Sequence, residues 1–172
     1  MNFYIAQGIS VLTAIVAVVM MQFKKMHWIL LGQITANILA GSTYLFLGGF
    51  SGAGISVVAV VQSVVMFLYN RTGKKPHWSI VGGFILLYVL CSVYYYTSPI
   101  DLCSSVAAAV FAISIVQEKP AASRAWYVFN PLLWMVYDVY TAAYVNVIVH
   151  GAIFISTAVA MVRLDGLFRA KQ

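Results

Sequence analysis

Charged residues are scarce in this sequence. Of its 172 residues, 8% are charged and only four are acidic, whereas 63% are hydrophobic. A soluble globular chain carries about 25% charged residues. At this length a water-soluble fold has too much surface to hide so many apolar side chains. The shortage of charge therefore excludes a soluble domain and predicts an integral membrane protein that lies in the lipid bilayer.

Residue types that carry chemistry are also few and scattered. The two cysteines, Cys91 and Cys103, lie in apolar runs and lack the spacing of metal ligands. The sequence contains no paired carboxylates, no His-x-x-x-His, no nucleophile elbow and no glycine-rich phosphate loop. We therefore expect no enzyme, no catalytic residue, no metal and no cofactor.

The net charge of +6 could indicate nucleic-acid binding, but the positions of the basic residues do not. They form short clusters between apolar runs, which is typical of topology signals in membrane proteins and not of a phosphate-binding face. We expect no nucleic-acid partner.

Long apolar runs dominate the sequence. Each approaches the ~17–25 residues that a helix needs to cross about 30 Å of hydrocarbon. Strands are excluded by the length of the runs and by their lack of alternation. The sequence therefore predicts an all-α integral membrane protein with seven transmembrane helices: Phe3–Gln22, Trp28–Leu47, Ala53–Asn70, Ser79–Thr97, Ile100–Val116, Ala125–Tyr144 and Val145–Val162.

The basic residues set the expected topology. With seven crossings, all ten lysines and arginines fall on one side of the membrane. The positive-inside rule makes that side cytoplasmic. A six-helix arrangement would scatter the same charges over both sides. The sequence therefore predicts an N-terminus outside and a C-terminus in the cytoplasm.

An internal repeat is present at an offset of 93 residues. Helices 1–3 of the predicted set correspond to helices 5–7, which leaves helix 4 as a linker. An odd number of linking helices makes the two triplets parallel. The expected divisions are a first three-helix repeat at 1–75, the linker helix at 76–98 and a second repeat at 99–172. The residues that match are Asn37 with Asn130, Leu39 with Leu132, Tyr44 with Tyr137 and Ser63 with Ser156.

The 3+1+3 plan resembles the SWEET/PQ-loop superfamily, which includes the Pnu-type vitamin carriers. Within it, the whole chain resembles the small bacterial inner-membrane family YgjV. The resemblance rests on the repeated Asn-x6-Tyr, on the turn between Leu47 and Gly54, and on the stretch Phe129–Trp134. It implies a multi-pass protein of the bacterial inner membrane. The Pro-Gln pair of PQ-loop proteins is missing, and Pro131 is the only proline inside a predicted helix, where we expect a hinge.

Two polar stripes are candidates for a substrate site. Polar residues inside a membrane helix are costly and often functional. Spacings of four, seven, eight and eleven residues keep side chains on one helical face. If the repeats face each other, the stripes line one central cavity, in which amides and rings bind a small polar solute. The predicted substrate-binding residues are Gln33, Asn37, Tyr44, Gln62, Asn130, Trp134 and Tyr137.

The resemblance adds one expectation to this site. SWEET-type sugar carriers set a tryptophan against a small residue, and Trp134 is matched by Gly41 in the repeat. The alternative is that the amides Gln33, Asn37 and Gln62 are structural hydrogen bonds between helices, worth about 0.6 kcal/mol each on average.

Asp138 and His150 are the carboxylate and the imidazole that lie deep in apolar runs. They are about equally far from the turn near Tyr144, so they could pair. Such a pair could take up and release a proton, as a proton-coupled carrier requires. The alternative is a structural hydrogen bond that closes the helical hairpin.

These features favour a small transporter or facilitator for a sugar-, nucleoside- or vitamin-like solute. A non-transporting receptor or assembly protein that holds a ligand in the same cavity is the alternative. A membrane enzyme acting on a lipid or quinone is a third hypothesis. Gly82-Gly83 and Ala107–Ala109 predict close helix contacts, within one chain or between copies in a homo-oligomer.

Overall fold

The computed structural model describes residues 2–47, 50–96, 99–140 and 144–166. In these ranges the chain is all-helical and contains no strand. This confirms the predicted all-α class. The helices are α1 Asn2–Met20, α2 Met26–Leu47, α3 Phe50–Thr72, α4 Trp78–Tyr94, α5 Asp101–Ile115, α6 Pro120–Tyr127, α7 Phe129–Tyr140 and α8 Tyr144–Asp165.

The sixth predicted helix differs most from the structure. The sequence predicts that this helix begins at Ala125, but α6 begins five residues earlier, at Pro120. Proline suits the first turn of a helix because its missing N–H would have no partner there. The helix is then interrupted at Val128. Pro131 has no N–H to donate to the Tyr127 carbonyl four residues earlier, and this explains the interruption.

Glycines in left-handed backbone end two of the helices. Gly73 follows α3 with φ of 67°, and Gly166 follows α8 with φ of 69°. This conformation stops a helix and is strained for residues with a Cβ atom. Gly48 and Gly49 of the predicted external turn lie outside the described residues.

Three helical segments are long and apolar enough to cross a membrane: Met26–Phe46, Gly52–Thr72 and Val145–Asp165. Shorter apolar helices occupy Tyr4–Met20, Trp78–Tyr94 and Leu102–Ile115. The structure therefore agrees with an apolar helical membrane protein. The count of seven crossings stays a prediction.

The distribution of polarity is the reverse of that in a soluble protein. Large apolar side chains cover the outside; Ile148 is 74% exposed and Ile155 is 63% exposed. Polar side chains are buried instead, among them Gln62, Asn130 and Arg124. An exposed surface of this kind suits lipid, because acyl chains solvate apolar side chains and leave polar groups to pair inside the protein.

The helices pack in two groups. In the first, α2 packs against both α1 and α3; in the second, α7 packs against α5 and α8, and α6 contacts all three. The helix α4 contacts α3 and α5. Contacts between the groups join α1 to α8 and α3 to α5. A cavity is left where these groups meet.

Loops that carry basic residues meet at one end of the molecule. Lys75 Nζ lies 3.1 Å from Glu118 Oε1, which joins the loop after α3 to the loop after α5. At the end of α8, Arg163 donates to Gln22 Oε1 at 2.9 Å, next to the end of α1. We call this the basic end. Arg169 and Lys171 lie outside the described residues.

Candidate functional site

A cavity of about 110 Å³ lies inside the bundle and is lined by side chains from all eight helices. Because its walls come from both groups of helices, movement of one group against the other would change its shape. Five of the seven predicted substrate-binding residues line it: Gln33, Asn37, Tyr44, Asn130 and Trp134.

The amides of α2 differ in how they are bonded. The Gln33 side chain is 2% exposed, and its Nε2 forms no well-made hydrogen bond with any described residue. The Tyr127 hydroxyl interacts with the same side chain. Asn37 Nδ2 donates to the Gln33 carbonyl at 2.8 Å. A side-chain amide has two N–H donors, so the Gln33 amide can donate a hydrogen bond to a ligand even beside Tyr127.

Tyr44 reaches the cavity beside Gly52 of α3. A Cβ atom added to Gly52 would lie 2.7 Å from the Tyr44 ring, so glycine is needed for this close approach. The Asp138 carboxylate is near enough to interact electrostatically with Tyr44. The ring therefore joins the wall of α3 to the polar groups of α7.

The stripe on α7 supplies an amide and an aromatic wall. Asn130 Nδ2 donates to the Ala107 carbonyl of α5 at 2.8 Å, which leaves its Oδ1 unused by this bond. The Trp134 ring is nearly parallel to that of His150, at 13°, with 6.1 Å between centroids. Tyr137 contacts Trp134 edge-on at 5.7 Å. It supports this ring and is not part of the cavity wall.

Asp138 and His150 are in direct contact. His150 Nδ1 lies 2.6 Å from Asp138 Oδ2, and the side chains are 18% and 4% exposed, respectively. His150 lines the cavity, whereas Asp138 lies behind it. The pair thus connects a buried carboxylate through an imidazole to the Trp134 wall. Its role in proton coupling stays a prediction.

Gln62, like Tyr137, is a predicted site residue that does not line the cavity. It is fully buried, and Tyr88 Oη donates to its Oε1 at 3.0 Å. Gln62 Nε2 donates to the Ala112 carbonyl of α5 at 3.4 Å. Its hydrogen-bonding groups are thus engaged between α3, α4 and α5, in agreement with the structural alternative. Pro131 is fully buried, one residue after Asn130.

The structure adds cavity residues that the sequence did not indicate. Tyr88 of α4 and Tyr127 of α6 both line the cavity. Tyr127 is three residues after the buried Arg124, so both lie on one face of α6. The amphipathic pattern after Pro120 is the sequence signal that could have identified Tyr127. Tyr88 carries no such signal, because the repeat assigns its helix to the linker.

A groove on the lipid-facing side runs beside this cavity. It measures about 510 Å³, lies between α2 and α3, and is mostly apolar. Asn37 and Ser56 line both the groove and the cavity. In the described part of the chain, no group of three His, Cys, Asp or Glu side chains is placed to hold a metal ion.

A model of a known family matches most of the chain. The family model Imp-YgjV, described as a bacterial inner membrane protein, matches residues 4–167. The chain therefore belongs to this family of bacterial inner membrane proteins, as the resemblance indicated. Among curated proteins and solved structures, none matches the chain significantly.

Proposed function

We propose that this protein is a transporter or facilitator for one small polar solute, bound between two three-helix bundles. The observation that carries the proposal is the internal cavity lined by both groups of helices. Its volume of about 110 Å³ is smaller than the roughly 150 Å³ cavity that binds benzene, so a sugar-, nucleoside- or vitamin-like solute requires the bundles to move apart as it binds. A cavity needs only about 10–15 Å³ in this measure to hold one water molecule.

Helix contacts support the 3+1+3 arrangement. In this arrangement α1, α2 and α3 correspond to α5, α7 and α8. The contact between α1 and α2 then corresponds to the contact between α5 and α7. The contact between α2 and α3 corresponds to the contact between α7 and α8. The contact of α1 with α8 becomes that of α5 with α3. A pseudo-two-fold axis along the membrane normal produces such a pattern, as in carriers built from parallel repeats.

Hydrogen bonds between the bundles follow the same exchange. Ser156 Oγ of α8 donates to the Val18 carbonyl of α1 at 2.7 Å. Gln62 Nε2 of α3 donates to the Ala112 carbonyl of α5. In the 93-residue repeat, the donor Ser156 corresponds to position 63, which is next to Gln62. The acceptor Val18 corresponds to position 111, which is next to Ala112. Both bonds thus run from the third helix of one repeat to the first helix of the other, as expected for a repeated frame.

The basic end supports the proposed orientation. The loops after α1, α3 and α5 and the end of α8 meet there, and the positive-inside rule assigns that end to the cytoplasm. The N-terminus is then outside. Alternating access follows from rocking of one bundle on the other. Pro131 leaves the Tyr127 carbonyl without its helical donor and is the proposed hinge.

The cavity wall offers complementary groups for a polar solute with a ring. Gln33 presents a buried amide donor, and the Asn130 amide has an acceptor oxygen that its bond to Ala107 does not use. Tyr44 and Trp134 offer aromatic faces. Asp138 and His150 provide a pair that can exchange a proton beside Trp134, which makes proton coupling part of the proposal.

A thermal-shift screen of the detergent-solubilised protein against sugars, nucleosides and vitamins tests the proposal. A ligand at 100 times its Kd stabilises the folded state by about 2.7 kcal/mol. We expect a hit whose shift is lost in Trp134→Ala and kept in Trp126→Ala. The control Trp126 lies on α6, is 44% exposed and does not line the cavity. Hits that survive Trp134→Ala would contradict this site.

A receptor or assembly protein that holds a ligand without transporting it is the second candidate. The observation in its favour is the groove between α2 and α3, which shares Asn37 and Ser56 with the cavity. Through it, a ligand can enter from the membrane without crossing either aqueous face. Uptake of a screened ligand into proteoliposomes distinguishes the two functions, because only a transporter accumulates or equilibrates the ligand inside.

A further inference from the structure

Arg124 is a buried cation that the substrate site does not use. It is 2% exposed, and its Nε donates to Asp165 Oδ2 at 2.8 Å, with a second bond from Nη2 to Oδ1. A two-pronged pair of this kind fixes the direction of a guanidinium group. Asp165 therefore positions Arg124 at the junction of α6 and α8.

The remaining donor of this guanidinium points to the other bundle. Arg124 Nη1 donates to the carbonyl of Met21 at 3.2 Å and to that of Phe23 at 2.9 Å. Both carbonyls follow the last helical residue of α1, where backbone acceptors have no partner within the helix. Arg124 thus replaces the missing partners and ties the end of α1 to the second bundle.

The end of α1 is also buried among apolar side chains. Met20 and Met21 are almost completely buried and belong to the same apolar cluster as Met26, Leu30 and Ile115. These residues lie at or near helix ends that meet at the basic end. Methionine side chains repack easily, as a seal that opens and closes requires.

The face of α6 links this seal to the cavity. Arg124 and Tyr127 are three residues apart on one helical face, and Tyr127 lines the cavity. Gln22 adds bonds to Ser156 of α8, at 2.8 Å to the carbonyl and 2.9 Å to Oγ. All these bonds join the end of α1 to the second bundle.

We infer that Arg124, positioned by Asp165, is a latch that closes the basic end of the cavity by holding the end of α1 and its Met20–Met21 seal. Release of the Met21 and Phe23 carbonyls lets α1 swing away and opens the cavity to that side. The ion pair Arg124–Asp165 stays intact, because both partners belong to the second bundle. The inference rests on the proposed function, since it assigns a gate to the carrier.

Cysteine accessibility tests the latch without any substrate. The probe is Ala36→Cys, a buried cavity residue, in a chain whose Cys91 and Cys103 are replaced by serine. A small membrane-impermeant thiol reagent is applied to inside-out vesicles and, separately, to spheroplasts. We expect Arg124→Gln to raise the rate of modification about ten-fold from the basic side and to leave the rate from the other side unchanged or lower.

The matched control is Arg71→Gln, which removes another arginine from the same end. Arg71 is exposed and lies 5.9 Å from the ring of Phe67 in its own helix. It should not change accessibility. If Arg124→Gln does not fold, Asp165→Asn and Gln22→Leu decide, because each weakens the latch and leaves the guanidinium in place. Both should increase accessibility from the basic side by a smaller factor.

Folded variants of all three positions with wild-type accessibility would overturn the latch, even if they are less stable. A purely structural role predicts that outcome, since it lowers the melting temperature without changing the exposure of Ala36→Cys from one side. The result is independent of the ligand screen. A gate can be found in a protein for which no solute has been identified, and a ligand can bind to a protein without this gate.

Discussion

The contact between Asp138 and His150 gives the most direct test of how the site is built. Asp138 is 3% exposed, and its Oδ2 lies 2.6 Å from His150 Nδ1. Both residues lie in the apolar part of the hairpin formed by α7 and α8. We expect Asp138→Asn, which keeps the size of the side chain, to destabilise the folded protein because His150 then faces an amide in place of a carboxylate.

The magnitude follows from burial. Removing one partner of a buried ion pair costs about 3–5 kcal/mol, and losing a neutral hydrogen bond with one group unsatisfied costs about 1–3 kcal/mol. His150 has some access to the cavity, with its side chain 18% exposed, so an intermediate value applies. We expect about 3 kcal/mol, which lowers the Tm of a chain of this size by about 6–12 °C.

The assay is thermal unfolding in detergent of Asp138→Asn, His150→Gln and the double variant. For two residues in contact, the double variant should cost at least about 1 kcal/mol less than the sum of the single variants. Val139→Ala is the control; its side chain is 58% exposed on the same helix and should change stability by less than about 0.5 kcal/mol. Additive single effects would refute the pairing. Unchanged pH dependence of uptake in Asp138→Asn would refute only proton coupling.

Two further substitutions test the frame around the cavity. Tyr88→Phe removes the donor to Gln62 Oε1 and leaves a buried acceptor without this partner, so thermal unfolding should show a loss of about 1–3 kcal/mol; an unchanged Tm would contradict the bond. Pro131→Ala restores an N–H for the Tyr127 carbonyl, so it should raise the Tm and slow uptake if this proline is the hinge. Faster or unchanged uptake would remove Pro131 from the mechanism.

The helices could be predicted from the sequence because their signal is local. An apolar run long enough to cross a membrane has few alternatives to a helix, since backbone groups in lipid must pair within the segment. The start of α6 differs from the prediction because a local signal does not include contacts with distant residues. Residues Pro120–Arg124 are polar enough to resemble a loop, and their helix is stabilised by Arg124 contacts with residues 41 and about 100 positions away.

The candidate site could be predicted only in part, and the division has a physical cause. Spacing along one helix places Gln33, Asn37 and Tyr44 on one face, and the cavity indeed adjoins that face. Spacing cannot tell which buried amide finds a partner on another helix. Gln62 and Gln33 are alike in sequence terms, yet Tyr88 engages the first and the Nε2 of the second makes no well-formed bond to a described residue.

Bonds within the second bundle differ from bonds between the two bundles, and this difference suggests how the bundles can move against each other. In the helical interior, the Asp138–His150 contact and the Arg124–Asp165 ion pair join α8 to α7 and α6, all within the second bundle. In the interior, the bonds between the bundles have backbone carbonyls or neutral side chains as acceptors, such as Ser156 to Val18 and Gln62 to Ala112, whereas the Lys75–Glu118 ion pair between the loops is exposed. Separating two charges in a medium without water is costly, whereas a bond to a carbonyl can be exchanged for another. The second bundle is therefore expected to move as one rigid unit, and the surface between the bundles is where the structure can yield.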